Sequence, residues 1–168
     1  MSDVAAYDTD ILLWSERQAA LLRDLKERAR GLSNELDLEN VAEEIESVGR
    51  SEFRAFESYL RLILTHVVKA ASNPDPALRA KWRSEIFGFQ LEARKASTPS
   101  MLRRIDLDEV WRDAVRQARI DMAKYDESLV ETPTTCPLSA DELLSSRDEI
   151  DVWAARADAT LAAETSQL

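Results

Sequence analysis

Apolar residues recur every three or four positions from Leu36 to Ala71, in a stretch with no proline and a single glycine, and this spacing predicts one long helix over 37–71. Asp37 stands where a carboxylate can accept from the free N–H groups of a first turn. Leu36 and Val41 occupy the N′ and N4 positions of a hydrophobic staple. On a wheel of about 3.6 residues per turn, Val41, Ile45, Val48, Glu52, Phe56, Tyr59, Ile63, Val67 and Ala70 form one stripe. Glu39, Glu43, Glu46, Arg50, Arg54, Glu57 and Arg61 form the opposite, solvated face. Two residues interrupt the stripe. Gly49 costs about 1 kcal/mol against alanine inside a helix, so its inward position predicts a neighbouring helix packed closely over it. Glu52 predicts either a carboxylate held by an arginine or a tryptophan N–H, or one with a chemical task. His66 falls at the stripe's edge, where a histidine is usually a satisfied core residue.

The same periodicity places the other elements. Ile11, Trp14, Gln18, Leu21, Leu25 and Ala29 line one face of a first helix, capped by Asp8 or Thr9 and ended by Gly31. SNPDP breaks the chain, and Asp75 with Pro76 opens a helix whose inner stripe is Leu78, Trp82, Ile86, Phe89 and Ala93. Phe87 and Leu91 point the other way, a second apolar strip that another element or another subunit should cover. After a turn at STPSM comes a short helical piece to Arg104. Asp106, Glu109, Ile105 and Val110 then mark a fourth start, with Leu107, Trp111, Val115, Ala118, Met122 and Tyr125 as its core face. ESLVETPTTCPL reads as a loop. Ser139 with Glu142, between Leu138 and Leu143, is a further capping box, and Leu143, Ile150, Ala154, Ala157 and Leu161 continue one stripe with Trp153 beside it. One helix, or two joined at Ser145–Ser146, fits that stretch. The expected fold is an all-α bundle of about five helices around the long central one, a single domain over residues 1–168.

Composition narrows the function classes. The 168 residues are 45% hydrophobic and 32% charged, with three glycines and five prolines, a globular and helix-favouring balance. A formal charge of −10 argues against nucleic acid and against an anionic membrane surface, and suits a basic protein partner. The lone Cys136 excludes an intrachain disulfide and a multi-thiolate metal site. No apolar run is long enough to span a bilayer, and the acidic start lacks a signal-peptide core, so the expected location is cytoplasmic.

Catalytic constellations are scarce. One histidine cannot supply the paired Glu-x-x-His motifs of a di-metal bundle, and no glycine-rich phosphate loop occurs. Cys136 precedes a proline with no local histidine to activate it. The candidates that survive are Glu44, Glu52 and His66, with Arg50, Arg83 or Lys69 as neighbours, in a polar cleft beside the central helix. No metal and no cofactor is expected.

Several stretches together carry a resemblance: YDTDILLW with Gln18-Ala19 and Leu21-Leu22, LDLENVAEEIESVGRSE, LILTHVVKAAS, Trp82-Arg83 with Ile86, and CPLSADELL. With these, the chain resembles the bacterial family of domain of unknown function 29 over residues 7–144. The resemblance implies a small all-α domain without an established reaction, and it supplies no catalytic residues. The amphipathic tail from Arg147 onward, residues 147–168, runs past the family's usual end.

Two functional expectations follow. The first is a non-enzymatic interaction or assembly module, a homodimer with Phe87, Leu91, Ile150, Trp153 or Leu161 in its interface. The second is a small-molecule or metal-dependent enzyme built on Glu44, Glu52 and His66.

Overall fold

The computed structural model describes residues 7–28 and 36–160, and every regular element among them is helical. These are α1 (Ile11–Arg28), α2 (Leu38–Ser72), α3 (Pro76–Ala96), α4 (Pro99–Arg104), α5 (Leu107–Ala123), α6 (Ala140–Leu143) and α7 (Ile150–Ala157). The expected all-α fold around one long helix is what forms. Two compact units gather along the chain: residues 1–56 with 96–105, and residues 57–95 with 106–168.

In the first unit, α1 pairs antiparallel with the N-terminal half of α2. Asp37 caps α2, its Oδ1 accepting from the Asn40 N–H at 3.2 Å. Asp37→Ala is expected to cost about 1 kcal/mol in a denaturant titration; an unchanged midpoint would place the helix start elsewhere. The staple expected beside this cap is not made, since Leu36 and Val41 both remain exposed. Asp10, rather than Asp8 or Thr9, caps α1, accepting from the Leu13 N–H at 3.2 Å. The Gly31 stop and Ala29 lie outside the described residues.

The seam between α1 and α2 is made of small residues. Ser15, Ala19, Ala42 and Gly49 are buried there with Leu12 and Leu38. A Cβ added to Gly49 would lie 2.0 Å from Ser15 Oγ and 3.1 Å from the Leu12 Cα, so the helices approach here as closely as a glycine permits. The close neighbour predicted for Gly49 is present. The stripe predicted around it is rotated, however. Over the first half of α2 the buried positions are Leu38, Ala42, Gly49 and Phe56, while Val41, Val48 and Glu52 are exposed and Ile45 is half-buried. On α1 likewise, Leu21 and Leu25 are exposed, and Ile11, Trp14 and Gln18 are half-buried. Two helices meeting through small side chains turn their larger apolar ones to the side.

In the second unit the predicted phase of α2 holds. Phe56 closes the first unit's share of the helix, and Leu60, Ile63, Leu64, Val67 and Val68 beyond it are fully buried. Around them come Trp82, Ile86 and Ala93 of α3, and Trp111, Ala114, Ala118 and Met122 of α5. Asp75 caps α3 through the Ala77 N–H at 2.8 Å. Asp106 caps α5, accepting from Asp108 and Glu109, both at 3.0 Å. Tyr125 is not part of the α5 core face: the helix stops at Ala123, the chain turns through Asp126 at φ 58°, and the ring is 77% exposed. Asp tolerates that left-handed conformation better than most residues.

The loop after α5 is fastened at both ends. Asn73 Nδ2 donates to Glu127 at 2.8 Å, the Val130 N–H donates to Ser72 at 3.1 Å, and Trp111 Nε1 donates to the Pro133 carbonyl at 2.8 Å. The Ser139–Glu142 capping box forms with both of its hydrogen bonds and opens a four-residue helix. Residues 139–157 are therefore two helices. Polar clamps hold the link between them to α3: Gln90 Nε2 donates to the Leu143 and Ser145 carbonyls at 3.2 and 2.8 Å, and Arg94 Nη1 to Ser145 at 2.8 Å. Arg83 pairs with Asp148 at 3.0 Å and Asp151 at 2.6 Å, fixing the start of α7.

Candidate functional site

Of the three candidate catalytic residues, Glu44 and Glu52 are exposed on the first unit's part of α2. Glu52 has no buried setting to explain, which removes both readings given for it. His66 lies 22 residues beyond Glu44 on the same helix, about 33 Å at 1.5 Å per residue, too far for one cleft. The expected Glu44–Glu52–His66 constellation does not form. The reason is the rotation of the first half of α2, which turns both carboxylates outward.

His66 itself is a satisfied residue. Its Nδ1 donates to the Leu62 carbonyl at 2.7 Å, Nε2 lies 3.0 Å from Glu85, and the ring packs 5.4 Å from that of Phe89. Burial lowers its pKa, with Lys69 adding to the effect against the pull of Leu62 and Glu85. At the other end of the titration range, the Arg156 guanidinium and the Ser139 N–H and O–H hold Glu142 down to about 2. Both groups bind fewer protons folded than unfolded, so each contributes a step to acid destabilisation of the fold. One begins as pH falls below 6.5, and the other spans 4.5 to about 2. Thermal melts against pH are expected to lose the first step in His66→Asn and most of the second in Arg156→Ala. Glu142 is partly solvated, so its step is modest.

Next to His66, the second unit has a cleft that the sequence pattern did not single out. Lys69 Nζ lies 5.2 Å from the Trp82 ring centroid and 3.9 Å from Asp121. These residues, with Leu78, Lys81, Met122 and Tyr125, line a cavity of about 270 Å³. A second cavity, of about 340 Å³, lies where α3 meets the start of α7, between Ile86, Phe87, Ile150 and Trp153. Ile150 and Trp153 are buried inside the chain itself, so neither is offered to a partner. Phe87, 57% exposed, and Leu91, 41% exposed, remain on the outside of α3. Leu161 lies outside the described residues.

Cys136 is a free, half-buried thiol. Burial raises its pKa, and its Sγ donates to the Leu138 carbonyl at 3.2 Å. Among the described residues, no three of His, Cys, Asp and Glu gather where they could share a metal ion, and no helix is long and apolar enough to cross a membrane.

An exposed apolar surface lies on the α1–α2 hairpin. Leu21 and Leu25 of α1 and Val41 and Val48 of α2 are each between 41 and 48% exposed. Relative to the Ser15–Gly49 seam they all turn to the same side. Arg23 with Glu39 and Glu46, and Lys26 with Glu39, turn to the other, at 2.8–3.3 Å. The hairpin thus has an ion-paired side and an apolar side. The residues of the apolar side were legible in the sequence as stripes, but as core rather than surface.

This arrangement has relatives. Residues 6–147 match the family described as domain of unknown function DUF29. The chain belongs to that family. Its match ends before α7. A solved structure from Rhodospirillum rubrum ATCC 11170, described as an alpha-helical protein of unknown function, is 37% identical. The similarity covers 90% of this chain and 97% of that one, with a TM-score of 0.82. No curated protein matches the chain.

Proposed function

We propose that the chain is a cytoplasmic, non-enzymatic interaction and assembly module that works through exposed apolar helix faces. The observation that carries this reading is the apolar side of the α1–α2 hairpin, where leucines and valines that sequence periodicity assigns to a core stand in solvent. Surfaces of this kind on a folded domain mark sites of association. The Phe87–Leu91 pair on α3 adds a smaller patch of the same chemistry. The exposure of Glu44 and Glu52 on the first unit supports this reading over one built on Glu44, Glu52 and His66. The net charge of −10 makes a basic protein an apt heterologous partner.

Native mass spectrometry of the intact chain, purified under mild conditions, tests the reading. Masses equal to assemblies of whole chains, without a small-molecule adduct, are expected. A monomer carrying a stoichiometric small ligand would instead favour a binding role for the Lys69–Trp82 cleft.

A further inference from the structure

Resting on that reading, we infer that the apolar side of the α1–α2 hairpin docks on the same side of a second copy, with the two-fold axis parallel to the helices, so that α1 of each protomer lies on α2 of the other in a four-helix bundle. Among the described residues, Leu21, Leu25, Val41 and Val48 keep between 41 and 48% of their surface exposed, so this side is left open for a further layer. A copy of itself supplies two more antiparallel helices of the same length.

The charges at the edges of the face select both the occupant and the symmetry. Beyond Leu21 and Leu25, the outer edge of α1 carries Arg17 and Arg28, the latter also paired with Asp24 of its own helix at 2.7 Å. Beyond Val41 and Val48, the outer edge of α2 carries Asp37 and Glu44, and Glu52 stands within the face. The hairpin is in register with Ser15 opposite Gly49 and Lys26 opposite Glu39. An axis parallel to the helices preserves these levels between copies. Arg17 of one protomer then comes level with Val48 of the other, within about one turn of both Glu44 and Glu52, and Arg28 comes level with Asp37. The perpendicular axis would stack α1 on α1 and α2 on α2. It would set Glu44 and Glu52 against their own copies in a chain that is already strongly acidic. The face is about 27 Å long, from the 18 residues of α1, and about 20 Å wide, so two copies bury about 1,100 Å² together. That is the lower edge of a specific interface.

Sedimentation equilibrium of the full chain and of exposed-site variants decides the matter. The wild type is expected to dimerise. Leu21→Glu and Val48→Glu, each placing two charges in the interface, should raise the dissociation constant at least about a hundredfold while melting as folded proteins. The geometry is tested by charge exchange. Arg17→Glu and Glu44→Arg should each weaken the homodimer, whereas an equimolar mixture of the two should form a heterodimer at least as tight as the wild type. A dimer that survives Leu21→Glu but dissociates in Phe87→Glu would overturn this inference and leave the assembly reading standing on α3. A wild-type chain that is monomeric at every concentration would overturn it as well, and with native masses free of whole-chain assemblies would overturn the assembly reading too. Homodimers weakened by Arg17→Glu and Glu44→Arg without a heterodimer on mixing would refute the parallel axis.

Discussion

Gly49→Leu is expected to lower stability by about 3 kcal/mol, a fall of about 6 to 12 °C in Tm for a chain of this size. The cause is local. Even a single Cβ at position 49 would overlap Ser15 Oγ and press on the Leu12 backbone. Ser15 has little room to yield, because it is fully buried and donates to the Leu12 carbonyl at 3.0 Å. A leucine must therefore push α1 off α2 and disrupt the seam of Ser15, Ala19 and Ala42. Gly49→Ala sets a helix-propensity gain of about 1 kcal/mol against the same overlap. Adding Ser15→Ala, which removes the nearest atom, should make the alanine variant the more stable of the two. Gly49→Leu melting with the wild type would mean that the two helices do not meet there.

Asp10→Ala is expected to cost about as much, about 3 kcal/mol, although it deletes only a small side chain. Asp10 is 8% exposed and accepts four hydrogen bonds. They come from the Leu13 N–H at 3.2 Å, the Ser100 N–H at 3.0 Å, Ser100 Oγ at 2.5 Å and Thr98 Oγ1 at 3.1 Å. It caps α1 and at the same time ties it to the N-terminus of α4. Removing the carboxylate leaves buried donors on Thr98 and Ser100 without their acceptor. Burial acts to raise the pKa of Asp10, but the bonds from Ser100, Leu13 and Thr98 outweigh it and the net shift is downward. Its stabilisation is accordingly present above pH 3.8 and is lost as pH falls below that value. Asp10→Asn, keeping one carbonyl oxygen, should fall between wild type and alanine. Asp8→Ala, at an exposed neighbour, should stay within about 0.5 kcal/mol. Equal denaturation midpoints for Asp10→Ala and Asp8→Ala would refute this role.

Helix starts were the most legible part of the sequence, because a cap is a local event. The Asp75–Pro76 opening, the Asp106 cap before Glu109, and the Ser139–Glu142 box each depend on residues within one turn of one another. At the first helix three polar residues in a row compete for the same task. Asp10 prevails there through Thr98 and Ser100, about ninety positions away in the chain, which no local pattern can show.

The phase of a stripe is legible only when the largest apolar residues are the ones that pack. That condition holds for α2 from Phe56 onward, where Leu60, Ile63, Leu64 and Val67 form the core. It fails over Val41, Ile45 and Val48, where the smallest residues pack instead. Gly49 was the clue to this. A helix interior that tolerates glycine is one that a neighbour approaches closely, and close approach selects Ser15, Ala19 and Ala42 with it. Glu44 and Glu52 lost their place as site candidates through the same rotation. The cleft around Lys69 and Trp82 escaped notice for a different reason: it joins α3 to the end of α5, two elements whose pairing no spacing along the chain encodes.

On the proposed reading, Leu21, Leu25, Val41 and Val48 form a surface for a partner rather than a core. Carbene footprinting of the intact chain at dilute and at concentrated protein addresses it residue by residue. Labelling of these four side chains is expected in dilute solution, with strong protection at high concentration, while Leu60 and Ile63 stay unlabelled throughout. Protection of the four at every dilution would show that the chain covers them itself, and equal labelling at all concentrations would show that no second copy does; either result would rule out docking of a second copy on this face.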